Sequence, residues 1–150
     1  MIPVRTVFML ALLAGGCAGC AAQQSDAPTS PSVPGGPSLV GTTWTAFEIE
    51  GQPVDIREPR RQPSLLLSAD GDRVSGATGC NRMSGTFTHQ GSTLRFGMLA
   101  TTRMACVPDG SAAEQAFLAA VEATRSHTLQ DQTLTLRDQM GAVRMRLRAS

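Results

Sequence analysis

From residue 43 onward, short stretches of alternating apolar and polar residues are separated by glycine-rich turns. Thr43 to Glu50 alternates loosely around Trp44 and Phe47 and closes at Gly51. Ser64 to Ala69 carries Leu65, Leu66 and Leu67, and the Asp70-Gly71 that follows is a hairpin signal. Arg73 to Gly79 resumes as a glycine-bearing strand, and Gly85 to His89 places Phe87 between two threonines. Gln90-Gly91-Ser92 turns the chain, after which Thr93 to Phe96 alternates cleanly. Thr133 to Arg137 and Val143 to Arg148 form a last pair around a turn near Met140-Gly141. Alternation with period two marks half-buried antiparallel strands, because successive side chains leave opposite faces of a sheet.

One stretch breaks this rhythm. Pro108-Asp109-Gly110 reads as a turn, and Ser111-Ala112-Ala113-Glu114 has the spacing of a capping box. Phe117, Leu118 and Val121 then share one face while Gln115, Glu122 and Arg125 stay polar, the pattern of an amphipathic helix. The expected class is therefore α+β: an antiparallel sheet curled into an open barrel with one covering helix.

Before residue 39 the chain has a different character. Arg5 precedes a short apolar run from Val7 to Ala14, far below the ~18 apolar residues of a membrane-spanning helix. Such a run followed by small residues reads as an export signal. It ends in Leu13-Ala14-Gly15-Gly16-Cys17, which resembles the bacterial lipobox. There a signal peptidase cleaves before a cysteine whose thiol accepts lipid. Cys20 is the alternative acceptor: lipidation there would remove Cys17 and leave an even pair of cysteines, whereas the residues before Cys17 fit the pattern better. Cys17-Ala18-Gly19-Cys20 also spells C-x-x-C, but a redox motif needs a helix start to lower the thiol pKa, and here it follows an apolar leader. Alanine, not aspartate, follows each cysteine, which points to sorting to the outer membrane. Pro28, Pro31, Pro34 and Pro37 with Gly35 and Gly36 make residues 17–38 a tether. The expected organisation is a signal over 1–16, a tether over 17–38 and one domain over 39–150.

Composition narrows the function. The 150 residues include 13 basic groups, all arginine, and 12 acids. Loss of Arg5 with the signal leaves 12 against 12, so net charge supplies no steering. A balanced charge and 4% aromatics argue against a nucleic-acid partner. Nucleophile elbow, zinc-protease, P-loop and dinucleotide-binding signatures are all missing from the sequence. Asp70 and Asp72 flank a turn glycine and read as turn residues, and Ser75, Ser84 and Thr102 have no identifiable base. The expectation is a protein that is not an enzyme and carries no cofactor.

Several stretches, in order, carry a family resemblance: Gly41-Thr42-Thr43-Trp44, Gly79-Cys80-Asn81-Arg82-Met83-Ser84-Gly85-Thr86-Phe87, Ala100-Thr101-Thr102-Arg103-Met104-Ala105-Cys106, and Glu114 to Leu118. Together they resemble the META domain, or HslJ-like, family over roughly residues 39–150. Phe87 stands where tyrosine is also usual, and residues 51–63 look like a variable loop. The resemblance implies a small bacterial envelope protein, often a lipoprotein, linked to heat-shock induction and drug tolerance. It implies a cracked barrel with a helix, similar to secretin pilotins, and it supplies no catalytic residues.

Cys80 and Cys106 lie on two of these motifs, and in an oxidising periplasm they are expected to pair. A reactive thiol activated by Arg82 and Arg103 is the rival reading. A metal site is not expected, since His89 and His127 look like isolated surface strand residues and zinc favours four ligands. Asn81 reads first as a turn residue in left-handed geometry. The sharper reading makes Asn81, Arg82 and Arg103 a polar binding site at the barrel mouth. Arg144, Arg146 and Arg148, with Arg137 as an extension of the stripe, alternate with Val143, Met145 and Leu147; they are expected to be a solvated face or a contact for anionic lipid or an acidic partner. The overall expectation is a lipid-anchored outer-membrane protein with a binding or structural role, its partners being the membrane and an envelope protein or lipid. The alternative is a pilotin-like carrier that shields a hydrophobic peptide or acyl chain, with Leu65, Leu66, Leu67, Met83, Met98 and Met104 lining an adaptable groove.

Overall fold

A computed structural model describes residues 35–54, 62–106 and 108–150. The expected export signal, both candidate lipidation cysteines and most of the expected tether and variable loop lie outside the described residues. The strands are β1 (Thr43–Ile49), β2 (Gln52–Pro53), β3 (Ser64–Leu67), β4 (Arg73–Ala77), β5 (Arg82–Gln90), β6 (Thr93–Phe96) and β7 (Ala100–Thr101). The helix α1 (Pro108–Ala123) follows, then β8 (Ser126–Gln130), β9 (Thr133–Arg137) and β10 (Val143–Ala149).

All strand pairings are antiparallel, in the order β10-β9-β8-β6-β5-β4-β3-β1, and β10 pairs back onto β1. The curl inferred from alternation thus runs to closure. The β1–β10 junction is long, from Trp44 opposite Ala149 to Ile49 opposite Met145. The β6–β8 junction rests on a single residue pair, Thr93 opposite Ser126. β2 and β7 are two-residue additions on β1 and β5.

The loose alternation of β1 has a cause. A register shift between Ala46 and Glu48 inserts one residue, so Trp44, Ala46 and Ile49 all point inward. Phe47 and Glu48 are thereby turned out towards β10. Inside, Trp44, Leu65, Leu67, Leu94, Leu134, Leu136 and Leu147 are fully buried, and Trp44 Nε1 donates to Leu39 O at 2.9 Å. Phe117, Ala120 and Val121 of α1 enter the same cluster, against β1, β6, β9 and β10. The expected helix face is therefore real, although Leu118 is only partly buried.

The helix begins earlier than the capping-box reading placed it. Pro108 is its first residue, a position that costs proline no hydrogen bond. Ser111 is consequently not the cap, and Glu114 is free for a different task. The elements missed in the sequence are the two-residue β2 and β7 and the longer β8, where Ser126-His127-Thr128 offers weak apolar alternation; pairing with β9 decides β8.

Gly85, in the middle of β5, shows why the motif carries glycine there. A side chain added at this position would lie 2.6 Å from Met98 O and 2.7 Å from Leu99 Cδ2. The 97–99 link between β6 and β7 crosses over β5 at that point. Gly85→Ala is expected to cost about 2 kcal/mol by forcing that link outward, measured as a fall in the urea midpoint at unchanged slope.

Candidate functional site

The motif residues meet at the corner between β4 and β5. Thr78 N donates to Asn81 O at 2.8 Å, closing a tight turn, and Gly79 takes the left-handed conformation within it (φ 102°). The left-handed role expected of Asn81 therefore belongs to Gly79, which has no Cβ to resist it. Asn81 is instead buried and bonded on every side. Its Oδ1 accepts from Met104 N at 2.8 Å and from Thr102 Oγ1 at 2.9 Å. Its Nδ2 donates to Glu114 Oε2 at 2.9 Å and lies 3.5 Å from Cys106 Sγ.

Glu114 brings the helix to this corner. Its Oε2 accepts from Thr78 Oγ1 at 2.6 Å and from Asn81 N at 3.2 Å, besides Asn81 Nδ2. One carboxylate oxygen thus anchors α1 to the β4–β5 turn. Cys80 and Cys106 are bonded, with Cα atoms 5.7 Å apart. The same turn is therefore fixed to the 102–106 segment twice, by the disulfide and by the Asn81 amide. In this arrangement the cysteines are not free thiols, and Asn81 has no polar atom left for a ligand.

Beside this corner lies a cleft of about 390 Å³, lined by Ala77, Gly79, Cys80, Asn81, Arg82, Met104 and Ala105. A shallower recess of about 580 Å³ adjoins it across Arg82 and includes Leu66, Ser75, Gly76, Ser84 and Thr101. Arg82 and Arg103 are exposed, and neither side chain has a carboxylate partner among the described residues. Of the three polar residues expected to bind, the fold leaves the two arginines available and commits the asparagine.

The groove expected of the leucine and methionine set is divided by the sheet pleat. Leu65, Leu67 and Met83 point into the core, whereas Leu66, Met98 and Met104 are exposed. The interior is filled by side chains, so the apolar surface on offer lies outside the barrel.

The basic stripe on β10 is also different from the expected free face. Arg144 pairs with Glu50 at 2.8 Å and lies 3.9 Å from Asp138, Arg146 pairs with Glu48, and Arg148 covers the Phe47 ring at 5.1 Å. Arg137 Nη1 donates to Gly141 O at 3.0 Å. The register shift in β1 sets Glu48 directly opposite Arg146, so Arg144 and Arg146 are matched by carboxylates while the exposed Arg148 keeps its charge. The sequence shows both runs of charge but not their alignment.

The histidines are not isolated. His89 on β5 and His127 on β8 meet edge to face with ring centroids 5.1 Å apart. His127 is buried, and its Nδ1 lies 3.1 Å from Ser92 O. Burial, reinforced by the neighbouring His89, holds the His127 pKa below its ordinary 6.5, against a smaller upward pull from Ser92. The unfolded chain therefore binds the proton more readily. Stability at the thin β6–β8 seam is full above pH 6.5 and falls as the pH drops through the lowered value. Urea unfolding between pH 7.5 and 5 should show this loss, and His127→Gln should flatten it.

A family description, META domain, matches residues 37–150. An NMR structure of a protein from Burkholderia xenovorans is similar at 26% identity over 75% of this chain and 83% of that one, with a TM-score of 0.61. A second NMR structure shares the fold at 21% identity, over 71% of this chain and 87% of the other, with a TM-score of 0.56. No curated protein matches the chain.

Proposed function

Because the chain belongs to the META-domain, HslJ-like family, we propose that it is an envelope lipoprotein whose domain serves as a non-catalytic binding or structural module in envelope homeostasis and tolerance of stress or drugs. In this reading Cys17, or alternatively Cys20, carries the lipid, residues up to 38 lift the domain off the outer membrane, and the domain faces the periplasm. The observation that carries the module reading is the use made of the motif residues. Asn81, Thr78, Glu114 and the two cysteines spend their polar atoms on one another, which supports a rigid platform over a reacting site. The surface left for a partner is the cleft at Cys80, with Arg82 and Met104 on its walls. A cleft of this size, part apolar and bearing one guanidinium, suits a hydrophobic segment with an anionic group, from an envelope protein or a lipid.

The carrier reading is the alternative, and exposed Met98 and Met104 favour it on the outer surface of the barrel. Intact mass of the protein extracted from the envelope without reductant tests the main reading. The expected species carries acyl chains and is two hydrogens short, and Cys17→Ser should move it from the membrane to the soluble fraction. An unlipidated mass with alkylatable Cys80 and Cys106 would refute it. Co-purification of an acyl chain or hydrophobic peptide that Met104→Glu releases would instead favour the carrier.

A further inference from the structure

We propose that Cys80, Cys106 and Glu114 form a redox-gated site for a thiophilic divalent cation, zinc being the type, which opens when the disulfide is reduced. The two sulfurs and a Glu114 carboxylate oxygen all lie within 4.8 Å of one another, and all three residues are half-buried, within reach of solvent. In sequence the cysteines have no third ligand nearby; the fold supplies one from the helix, 8 residues beyond Cys106 in number and adjacent in space.

Two features prepare the site. Every hydrogen bond to Glu114 falls on Oε2, so Oε1 carries none among the described residues and keeps its lone pairs for a metal. The bonds to Oε2 from Thr78 and Asn81 then act as an outer shell that orients the ligand. Asn81 also ties the 102–106 segment down through Met104 N and Thr102 Oγ1, neither of which involves sulfur. Breaking the S–S bond therefore leaves the backbone around both cysteines held while the two sulfurs turn apart to van der Waals distance, and Asn81 Nδ2, 3.5 Å from Cys106 Sγ in the bonded state, is at hand to favour a thiolate.

The chemistry balances with a dithiol reductant. The reductant gives two electrons and two protons to the Cys80–Cys106 bond, becoming a disulfide itself, and two thiols result. Metal binding then displaces those two protons to solvent. Two thiolates and one carboxylate occupy three positions of a tetrahedral cation, and water takes the fourth. The oxidised protein holds no such site, because neither bonded sulfur is a thiolate.

Cobalt(II) is the probe, in the full chain carrying Cys17→Ser and Cys20→Ser so that only this pair of thiols reports. After reduction with a phosphine, one cobalt per chain should bind, with the near-ultraviolet absorption of a thiolate–cobalt bond, and zinc should erase that absorption. The unreduced chain should show none. Glu114→Gln keeps an oxygen for Thr78 and Asn81 and should weaken binding at least tenfold, while Cys80→Ser should abolish the thiolate signature. Near-ultraviolet circular dichroism from Trp44 follows the fold throughout. Absence of the band in the reduced chain, whether the chain stays folded or not, overturns the proposal. Equal affinity in Glu114→Gln overturns it as well.

Discussion

Replacing Cys80 and Cys106 together by serine is expected to lower the stability of the domain by about 3–4 kcal/mol, the chain-entropy value for a loop of this length. The bond closes a loop over a sequence separation of 26, which holds β5, β6 and β7. In the unfolded chain that loop is freed, while the folded chain loses little, since the Asn81 amide still spans the same two segments. For a domain of this size the loss reads as a fall of roughly 10–15 °C in melting temperature. Thermal unfolding followed at the Trp44 signal, with and without reductant, measures it. The wild-type chain under reductant should match the double serine variant, and a fall of only a degree or two would remove the disulfide from the account of stability.

Asn81→Ala is expected to be nearly as damaging, at about 3 kcal/mol. The amide serves four neighbours, and its loss strands the part-buried backbone N–H of Met104 and removes the side-chain donor that reaches Glu114. A buried polar group without a partner costs more than the hydrogen bond it made. Asn81→Asp separates this explanation from simple loss of packing. It keeps the shape and the acceptor for Met104, but turns an oxygen towards Glu114 Oε2 where the amide donated at 2.9 Å. Two carboxylates at that distance repel, so the aspartate variant should be weakest near pH 7 and recover on acidification, opposite in sign to the His127 effect. Chemical denaturation at pH 7.5 and 5 for both variants decides the matter. Combining Asn81→Ala with the double serine change should cost more than the two separately, because each bridge holds the segment when the other is cut.

Much of the barrel was legible because a half-buried strand must alternate. Thr93 to Phe96, Thr133 to Arg137 and Val143 to Arg148 are strands for that reason, and Leu65, Leu67, Met145 and Leu147 lie where alternation puts them. Leu66 sits on the outer face by the same rule. What failed was local geometry that depends on a distant neighbour. Ser111 to Glu114 has a capping-box spacing, yet Glu114 binds Thr78 and Asn81 instead of its own helix end. The arginines of β10 look like a free basic face until the inserted residue in β1 aligns Glu48 with Arg146. The histidines look solitary, since nothing in their separation announces that β5 and β8 flank the short β6.

The amino-acid sequence alone determined the antiparallel class, the covering helix and the two motif cysteines. These follow from composition, from period-two and helical spacing and from motif order, all of which act over a few residues or repeat along the chain. Tertiary structure alone decided that the ring closes, that Asn81 is a clamp, that Arg144 and Arg146 of β10 are paired with acids and that Glu114 stands beside the disulfide. Those outcomes depend on which strands become neighbours and in what register. A shift of one residue reverses the face of every side chain that follows. Register is settled by packing of the whole core around Trp44, a cooperative quantity that no local window of the chain contains.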